Sequence, residues 1–591
     1  MFVRSDKRCD PYNPNSSQDM KINIYDNSNI AESYSGVTTP LTYSFSRFAY
    51  QEVYKNFCRM MGVDAGTIAR NEDMYSHMVV FIGYRMYYDL DNWYKLVSFL
   101  PGYKFNKVFF EKMLSVQKTR DYTGGGRAGF LERYFIILPR LIFQAFGILF
   151  SFIIMGRHIR KFNGEFDRLY DSLYNADLAD MSMEQLQMQY FRLHEDLASR
   201  WRVPIANDFA VMVSAGIADK LSGRWLNGTN VYSYFNSRSH VPLTSLDPGS
   251  EMLKIAALIR VDPGIFEMFN KQNEPSLILS VLKDDYKNHP VTISILGYLK
   301  RYGCRSPNEL KLETVTLNER PEMLIELLRP LVDHKGKNPD DSVRERRKEP
   351  EGHNALNPVK RALLERCSIW AARSIARREE TRFRRALIFG YARTLFLAMG
   401  KKFIQFNLLD STQDIFYLTT EEIFKYVKER RPEGDIRGLV AERKAELEFW
   451  RSVDLPRRIE TPKSISEIEK EFRTNGSGRG ERHRSTVLKG VVASRPGPNI
   501  VSGTALVLQE FDPSVDYKDK ILITKQTDPG WTIVFPLLKG LVVERGGVLS
   551  HAAIVARELN IPCLIGVDCA TESIIDGSPV NINLIRGEVY G

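Results

Sequence analysis

The sequence predicts a large, mostly α-helical N-terminal region joined by a flexible segment to a small C-terminal α/β domain. Three observations point to this. From about residue 25 to 450, apolar residues recur at three- and four-residue spacing, most plainly in Leu363–Phe403, the signature of helices with a buried face. From about 455 to 489 the chain turns polar around Asn475-Gly476-Ser477-Gly478-Arg479-Gly480, a flexible composition. Beyond it, short β-branched runs alternate with turn residues: Thr504–Leu508, Ile521–Thr524, Gly540–Glu544, Pro562–Val567 and Pro579–Leu584. Among these strands, Ser550–Leu559 reads as a helix.

The expected organisation is therefore a disordered polar tail over 1–24, a helical region over 25–454, a linker over 455–489 and an α/β domain over 490–591. The polar, basic run His334–Asn354 divides the helical region and allows two subdomains there. At roughly 100–200 residues per domain, three or four domains fit the length.

Composition narrows the function classes. Of 591 residues, 43% are hydrophobic and 26% charged, ordinary for a globular protein with packed cores. The formal net charge of +10 is modest for this length and comes with no nucleic-acid motif, so no nucleic-acid partner is expected. Six cysteines lie scattered with no C-x-x-C pair, which argues against a zinc site or disulfide framework. The polar N-terminus lacks the apolar core of a signal peptide, and a cytoplasmic protein is expected. Leu141–Met155 is apolar but only 15 residues long, and Pro139 and Arg140 precede it. A spanning helix needs about 20 apolar residues. A buried helix or pocket wall is the expectation, with a membrane-associated helix as the alternative and no integral membrane segment.

The segment Gly540–Val567 carries chemistry. A buried strand ends at Glu544–Arg545, and Gly546 and Gly547 permit a tight turn and close approach. Ser550 is placed to N-cap the next helix, which puts His551 in its first turn. Free N–H groups and the helix dipole there favour an anion. A neutral imidazole so placed can attack phosphorus, and the phosphoryl group it gains sits at the positive end of a helix. A lone histidine at such a position would more often be an ordinary capping residue; what surrounds this one decides otherwise.

Gly546-Gly547-Val548-Leu549-Ser550-His551-Ala552-Ala553, then Ile554–Leu559 and Ile561-Pro562, closely resemble the phosphohistidine mobile domain of the PEP-utilising and dikinase enzymes. That family includes PEP synthase, pyruvate phosphate dikinase and rifampicin phosphotransferase. The likeness extends upstream through Thr527–Trp531 and Gly503–Ala505 and downstream through Asp576-Gly577 and Gly587–Val589. The resemblance implies a swivelling phosphohistidine domain with His551 as the phosphorylated residue and Gly546, Gly547, Ser550 and Thr527 around it. A weaker likeness links the helical region to the acceptor-binding part of rifampicin phosphotransferase, on four patches: Asn29–Glu32 with Gly36 and Thr39–Thr42; Gly83–Tyr88; Tyr302–Arg305 with Glu309-Leu310; and Arg378-Glu379, Arg382 and Asp414–Thr419. Two departures stand out: Asp89 where Asn is usual, and Cys304 where His is usual.

From these patches Arg85, Arg305, Glu309, Arg378 and Arg382 are candidates for phosphate or acceptor binding. Guanidinium groups fork onto phosphate oxygens and offset charge in phosphoryl transfer. Glu379 is the candidate general base toward an acceptor hydroxyl, or else the ion-pair partner of Arg382. No metal site is expected on this chain. Neither a P-loop nor an ATP-grasp pattern is found, and the chain stops at Gly591, straight after the histidine domain. The arrangement resembles phenylphosphate synthase, and implies ATP, with its Mg²⁺, on a separate ATP-grasp subunit. The expected acceptor is a small hydroxyl compound, aromatic or apolar, suited by the 11% aromatic content. Two other readings remain open at this point: a ligase-like condensing enzyme using phosphohistidine, and a non-catalytic phosphohistidine regulator.

Overall fold

A computed structural model of the chain describes residues 22–99, 138–198, 200–226, 247–272, 274–304, 308–333, 356–429, 434–475, 487–512, 515–527, 529–547 and 550–591. The expected tail lies outside these residues as far as residue 21; strand β1 (Asn23–Asp26) already occupies its last positions. The expected subdomain break at 334–354 also lies outside them.

The helical region is built on four long helices: α1 (Pro40–Met60), α2 (Leu138–Tyr174), α3 (Arg202–Trp225) and, later in the chain, the 48-residue Pro358–Gln405. The last starts sharply because Asn357 Oδ1 accepts the Lys360 N–H at 2.8 Å and Pro358 presets the first turn. Its C-terminal half buries Leu395, Phe396, Met399 and Phe403 in a core shared with Phe45 of α1. Its N-terminal half runs antiparallel to α3: Asn207 Nδ2 donates to Ser374 O at 2.9 Å, Val211 packs on Ile375, and Leu226 packs on Leu364.

Between α3 and this helix lies a bundle of α4 (Asp247–Val261), α5 (Pro263–Lys271), α6 (Pro275–Asp284), α7 (Pro290–Tyr302) and α8 (Glu322–Asp333). The 48-residue helix is therefore α9. Proline opens α5, α6 and α7, where its missing N–H costs nothing.

A four-stranded antiparallel sheet of order β2-β3-β1-β4 stands beside the helices, with β2 at Val79–Ile82, β3 at Arg85–Asp89 and β4 at Arg458–Thr461. Strand β4 corrects the sequence expectation. It lies in the segment read as linker, pairs with β1 from Asn23↔Thr461 to Asp26↔Arg458, and leads into a further helix, Ile465–Asn475. Ile459 and Ile468 are buried there with Trp450 and Tyr87. Two apolar side chains in a polar stretch were enough to fold it, too few to show as periodicity. Residues 476–486, which hold the glycines of the expected linker, are outside the described residues.

The C-terminal domain is an eight-stranded mixed sheet of order β5-β12-β11-β7-β8-β9-β10-β6. The strands are β5 Val487–Lys489, β6 Val491–Ser494, β7 Ile500–Leu508, β8 Lys520–Thr524, β9 Gly540–Val543, β10 Cys563–Ile565, β11 Pro579–Asn583 and β12 Glu588–Tyr590. Strands β7 to β10 are parallel neighbours, and the helix His551–Glu558 connects β9 to β10. The two edge strands, β5 and β6, are separated only by Gly490, so the sheet closes on itself. Gly490 N donates to Gly587 O at 2.8 Å, and a Cβ at residue 490 would fall 2.8 Å from Ile565 O.

One apolar core runs from the bundle into this domain, joining Met252, Leu282 and Leu328 to Trp531, Phe535 and Ala553. Among the described residues, no helix is long and apolar enough to cross a membrane. The side chains of α2 up to residue 153 are outside the described residues, and the pocket-wall expectation for Leu141–Met155 rests on them.

Gly490→Val should destabilise the C-terminal domain by about 1–3 kcal/mol, the usual cost of overpacking against backbone. Urea denaturation followed at Trp531 should show an earlier transition; an unchanged midpoint would mean that the closure at Gly490 is loose.

Candidate active site

The site forms where the C-terminal domain meets α9. Strand β9 delivers the chain to Gly546, whose φ of +114° needs glycine. A Cβ there would sit 2.9 Å from Ser550 Oγ and 3.2 Å from Glu32 Oε1, so the loop admits no side chain. The Gly547 carbonyl accepts the Ser550 N–H at 2.9 Å. Ser550 caps the helix by accepting the Ala553 N–H at 3.4 Å, which makes His551 its first residue.

The His551 ring is only 4% exposed, and its Nε2 lies 3.0 Å from Thr532 Oγ1. Thr532 belongs to a short 3-10 turn, Pro529–Ile533, seated on the start of α4, where a Cβ at Gly249 would be 3.5 Å from Thr532 O. The bundle thus fixes the residue that fixes the ring.

Across the seam, α9 presents Arg378, Glu379 and Arg382. Glu379 is 3% exposed and Arg378 9% exposed. Glu379 Oε1 lies 3.6 Å from Arg378 Nε and 3.4 Å from Arg382 Nη1. Burial alone would raise the Glu379 pKa; Arg382, Arg378, His551 and Arg385 together hold it below the ordinary carboxylate value. Burial, then the neighbouring Arg382, presses the Arg378 pKa down. Glu32 and Asp208 lie within electrostatic reach of both arginines. Asp208 is exposed and Glu32 and Arg382 are half-buried, so this side of the site is a recess that solvent enters. Tyr50 interacts with Arg382, and the buried Tyr34 and Tyr88 lie behind it, with ring centroids 6.5 and 6.2 Å from that of Tyr50.

Smaller contacts fasten the domain here. Arg457 pairs with Glu544 at 3.3 Å and Asp568 at 2.8 Å, Gln526 Nε2 donates to Ala31 O, and Ile554 packs between Val211 and Ile375.

Of the residues singled out from sequence, the structure brings His551, Gly546, Gly547, Ser550, Glu379, Arg378 and Arg382 together. Thr527 is 5% exposed on the same domain, and its hydroxyl finds no partner among the described residues. Arg85 is a correction: its Nη1 and Nη2 donate to Trp450 O and Val453 O at 3.0 and 2.9 Å, which ties off the helix Ile436–Ser452. Its charge answers orphan helix carbonyls, and phosphate would have to displace them. Arg305 lies outside the described residues. Glu309 is half-buried in the turn whose Lys311 and Leu312 fasten to Val37 and Thr42. The sequence reading passed over Thr532 and Asp208. Thr532 follows directly on the Thr527–Trp531 stretch, whereas nothing local marks Asp208. Among the described residues, no group of three or more His, Cys, Asp or Glu side chains is placed to hold a metal ion.

Two family models match the chain: the mobile domain of PEP-utilising enzymes over residues 516–587, and the rifampicin phosphotransferase fourth domain over 205–388. Rifampicin phosphotransferase of Bacillus subtilis is 25% identical over 397 residues, covering 64% of this chain and 43% of that protein. The Streptomyces sviceus enzyme of the same name is 25% identical over 400 residues, 63% of this chain and 42% of its own. Phosphoenolpyruvate synthase of Aeropyrum pernix is 39% identical over 107 residues, 18% of this chain and 13% of its own. The chain thus spans less than half the length of these relatives.

Because its pKa is depressed in the folded state, Glu379 stabilises the fold above the ordinary value of 4.5, and that contribution is lost as pH falls through the lower folded value. Glu379→Gln should therefore cost about 3 kcal/mol near neutrality, the scale of a broken buried ion pair. The gap from wild type should narrow in acid. Urea denaturation at pH 7 and at low pH checks this; a gap that does not change with pH would mean that the pair carries no charge.

Proposed function

We propose that this chain is the phosphohistidine-carrying component of a dikinase-type phosphotransferase, passing a phosphoryl group through His551 to a hydroxyl of a small aromatic or apolar acceptor. The observation that carries the proposal is the position of the His551 ring. It is not sealed inside its own domain but faces Glu379, Arg378 and Arg382 of another. The mobile-domain match supports the carrier role, and the match of residues 205–388 supports an acceptor-binding role for α3 and α9. What the relatives' name says of rifampicin is said of them; this recess is proposed to take a hydroxyl compound of that broad kind.

In the first half-reaction, a separate ATP-grasp component with its Mg²⁺ supplies the β-phosphoryl of ATP. ATP and water become AMP and inorganic phosphate as a ring nitrogen of His551 gains the phosphoryl group. Supporting a separate nucleotide site, the described residues before 476 form helices beside a single four-stranded antiparallel sheet. In the second half-reaction the domain is docked as in this structure. The acceptor oxygen attacks phosphorus, the P–N bond breaks with its electron pair returning to the imidazole, and the hydroxyl proton passes to Glu379.

Two physical features favour that step. Arg378 and Arg382 fork onto the phosphoryl oxygens as charge spreads over them. Arrival of the phosphoryl dianion also draws the arginines away from Glu379 and raises its pKa, so the carboxylate becomes a better base when a base is needed. The half-buried Tyr50 beside Arg382 suits an acceptor with an aromatic or apolar body and a polar edge.

Incubation with β-labelled ATP and the ATP-grasp component should label the wild-type chain and leave His551→Ala unlabelled. Glu379→Gln should accept label normally but release it to acceptor about 10²–10⁴-fold more slowly, the usual worth of a general base. Equal labelling of wild type and His551→Ala would reject the carrier role. Unimpaired transfer by Glu379→Gln would reject the base.

A further inference from the structure

The phosphohistidine loop carries a cation that the docked arrangement does not use. Arg545 follows the end of β9, one residue before Gly546, and its N–H donates at 2.8 Å to the carbonyl of Lys525, which follows the end of β8. These two parallel strands end on the side of the sheet where His551 starts its helix. Arg545 and Lys525 are both half-buried. Neither side chain makes an ion pair or hydrogen bond among the described residues, and the Arg545 Nε is shut off from solvent without a partner.

The neighbours of Arg545 are committed elsewhere. Glu544 accepts Thr571 N and Oγ1 at 2.7 and 2.6 Å and pairs with Arg457 at 3.3 Å. Arg457 is a like charge, and its other terminal nitrogen pairs with Asp568 at 2.8 Å. The remaining groups that act on Arg545 belong to the helical region. They are Tyr87 of β3, whose hydroxyl already donates to Pro456 O at 2.9 Å, and the exposed Asp454, whose pull is the weakest. Burial, then Arg457, therefore presses the Arg545 pKa down against Glu544, Tyr87 and Asp454. A guanidinium ion withdrawn from water without an acceptor raises the free energy of the docked state. Arg85, on the same strand as Tyr87, shows the contrast: a structural arginine there has two carbonyls to answer it. Arg545 has none, so its partner is an anion met in another position of the domain.

With His551 as the proposed phosphoryl carrier, on which this inference rests, the cycle supplies such an anion. Recharging brings ATP beside His551, with the β-phosphorus flanked by two further phosphates. Arg378 and Arg382 belong to α9 and are left when the domain parts from it, whereas Arg545 and Lys525 travel with the histidine. A guanidinium fork matches phosphate oxygens, and a lysine adds a point charge. We propose that Arg545, together with Lys525, binds the polyphosphate of ATP in the recharging position, and that docking on the helical region stows Arg545 away from it. Leaving the dock frees the guanidinium for the incoming nucleotide; returning to the dock removes it from the nucleotide product.

Two phosphoryl donors test the proposal on the full chain. One is β-labelled ATP with the ATP-grasp component. The other is phosphoramidate, which gives its phosphoryl group to an imidazole directly, loses ammonia, and has no flanking phosphates. Arg545→Gln should load from ATP about 10–100-fold more slowly than wild type, the worth of a hydrogen bond to a charged group. It should load from phosphoramidate at the wild-type rate. Arg545→Lys, which keeps the charge, should recover part of the loss. Should Arg545→Gln melt below wild type, Lys525→Gln takes its place, with slower loading from ATP alone expected. Loading from ATP at the wild-type rate by a folded variant would overturn the proposal. So would an equal loss with both donors, which marks a residue that only holds the loop. Neither result touches the carrier role, which fails instead if His551→Ala takes label from ATP as wild type does.

Discussion

Much of this structure depends on one constraint: the Glu379 carboxylate and the Arg378 guanidinium have been taken out of water and, with the half-buried Arg382, must satisfy one another. Charges withdrawn in this way cost several kcal/mol each unless paired. Glu379 is held by Arg378 and Arg382, and those in turn feel Glu32 and Asp208. No single element supplies the set. Glu32 comes from near the N-terminus, Asp208 from α3, and the rest from α9, so the helices must be in register before the charges balance. The antiparallel packing of α3 on α9, pinned by Asn207 and Ser374, sets that register. The C-terminal domain then closes the assembly by placing His551 beside Glu379.

The arrangement of charge gives the site a direction. Arg382, Arg378 and Arg385 hold the Glu379 pKa down, while burial raises those of Glu32 and Asp208 against the pull of the same cations, so cations and carboxyl groups are set against one another across the site. A phosphoryl group carried in by His551 upsets that balance. The recess then holds excess negative charge beside the buried Glu379. Transfer to a neutral hydroxyl restores the balance once the phosphorylated product leaves. The same arginines that stabilise charge in transit therefore do not trap the carrier in its loaded form.

How much of this the sequence showed depended on how local each feature was. His551 and its cap were legible because Gly546, Ser550 and the helix after them lie within a dozen residues, and each has a local reason to be what it is. Helix α9 was legible from its spacing. Arg85 misled because an arginine beside glycine and tyrosines has the look of an anion ligand, while the carbonyls it ties off belong to a helix more than 360 residues later. The segment after residue 455 misled in the opposite sense: Ile459 and Ile468 are too few to set a period, yet β1 offered a free edge for β4 to pair with. Asp208 and Thr532 act only through what tertiary packing puts next to them, and no spacing rule finds such residues.

The seam also sets terms for movement. On the α9 side it is made of charges and a few small contacts, and the pair of Arg457 with the exposed Asp568 is worth at most about 1 kcal/mol. On the bundle side it is apolar: Trp531 and Phe535 share one core with α4 to α8. Apolar surface resists separation in proportion to its area, roughly 25 cal/mol per Å². A carrier domain that leaves Glu379 to be recharged therefore parts easily from α9 but not from the bundle. Either another component covers Trp531 and Phe535 with equivalent apolar surface, or the bundle travels with the histidine. On the domain, the second route uncovers Ile554 but leaves Trp531 and Phe535 covered, and it keeps Thr532 seated on α4 beside the ring throughout the cycle.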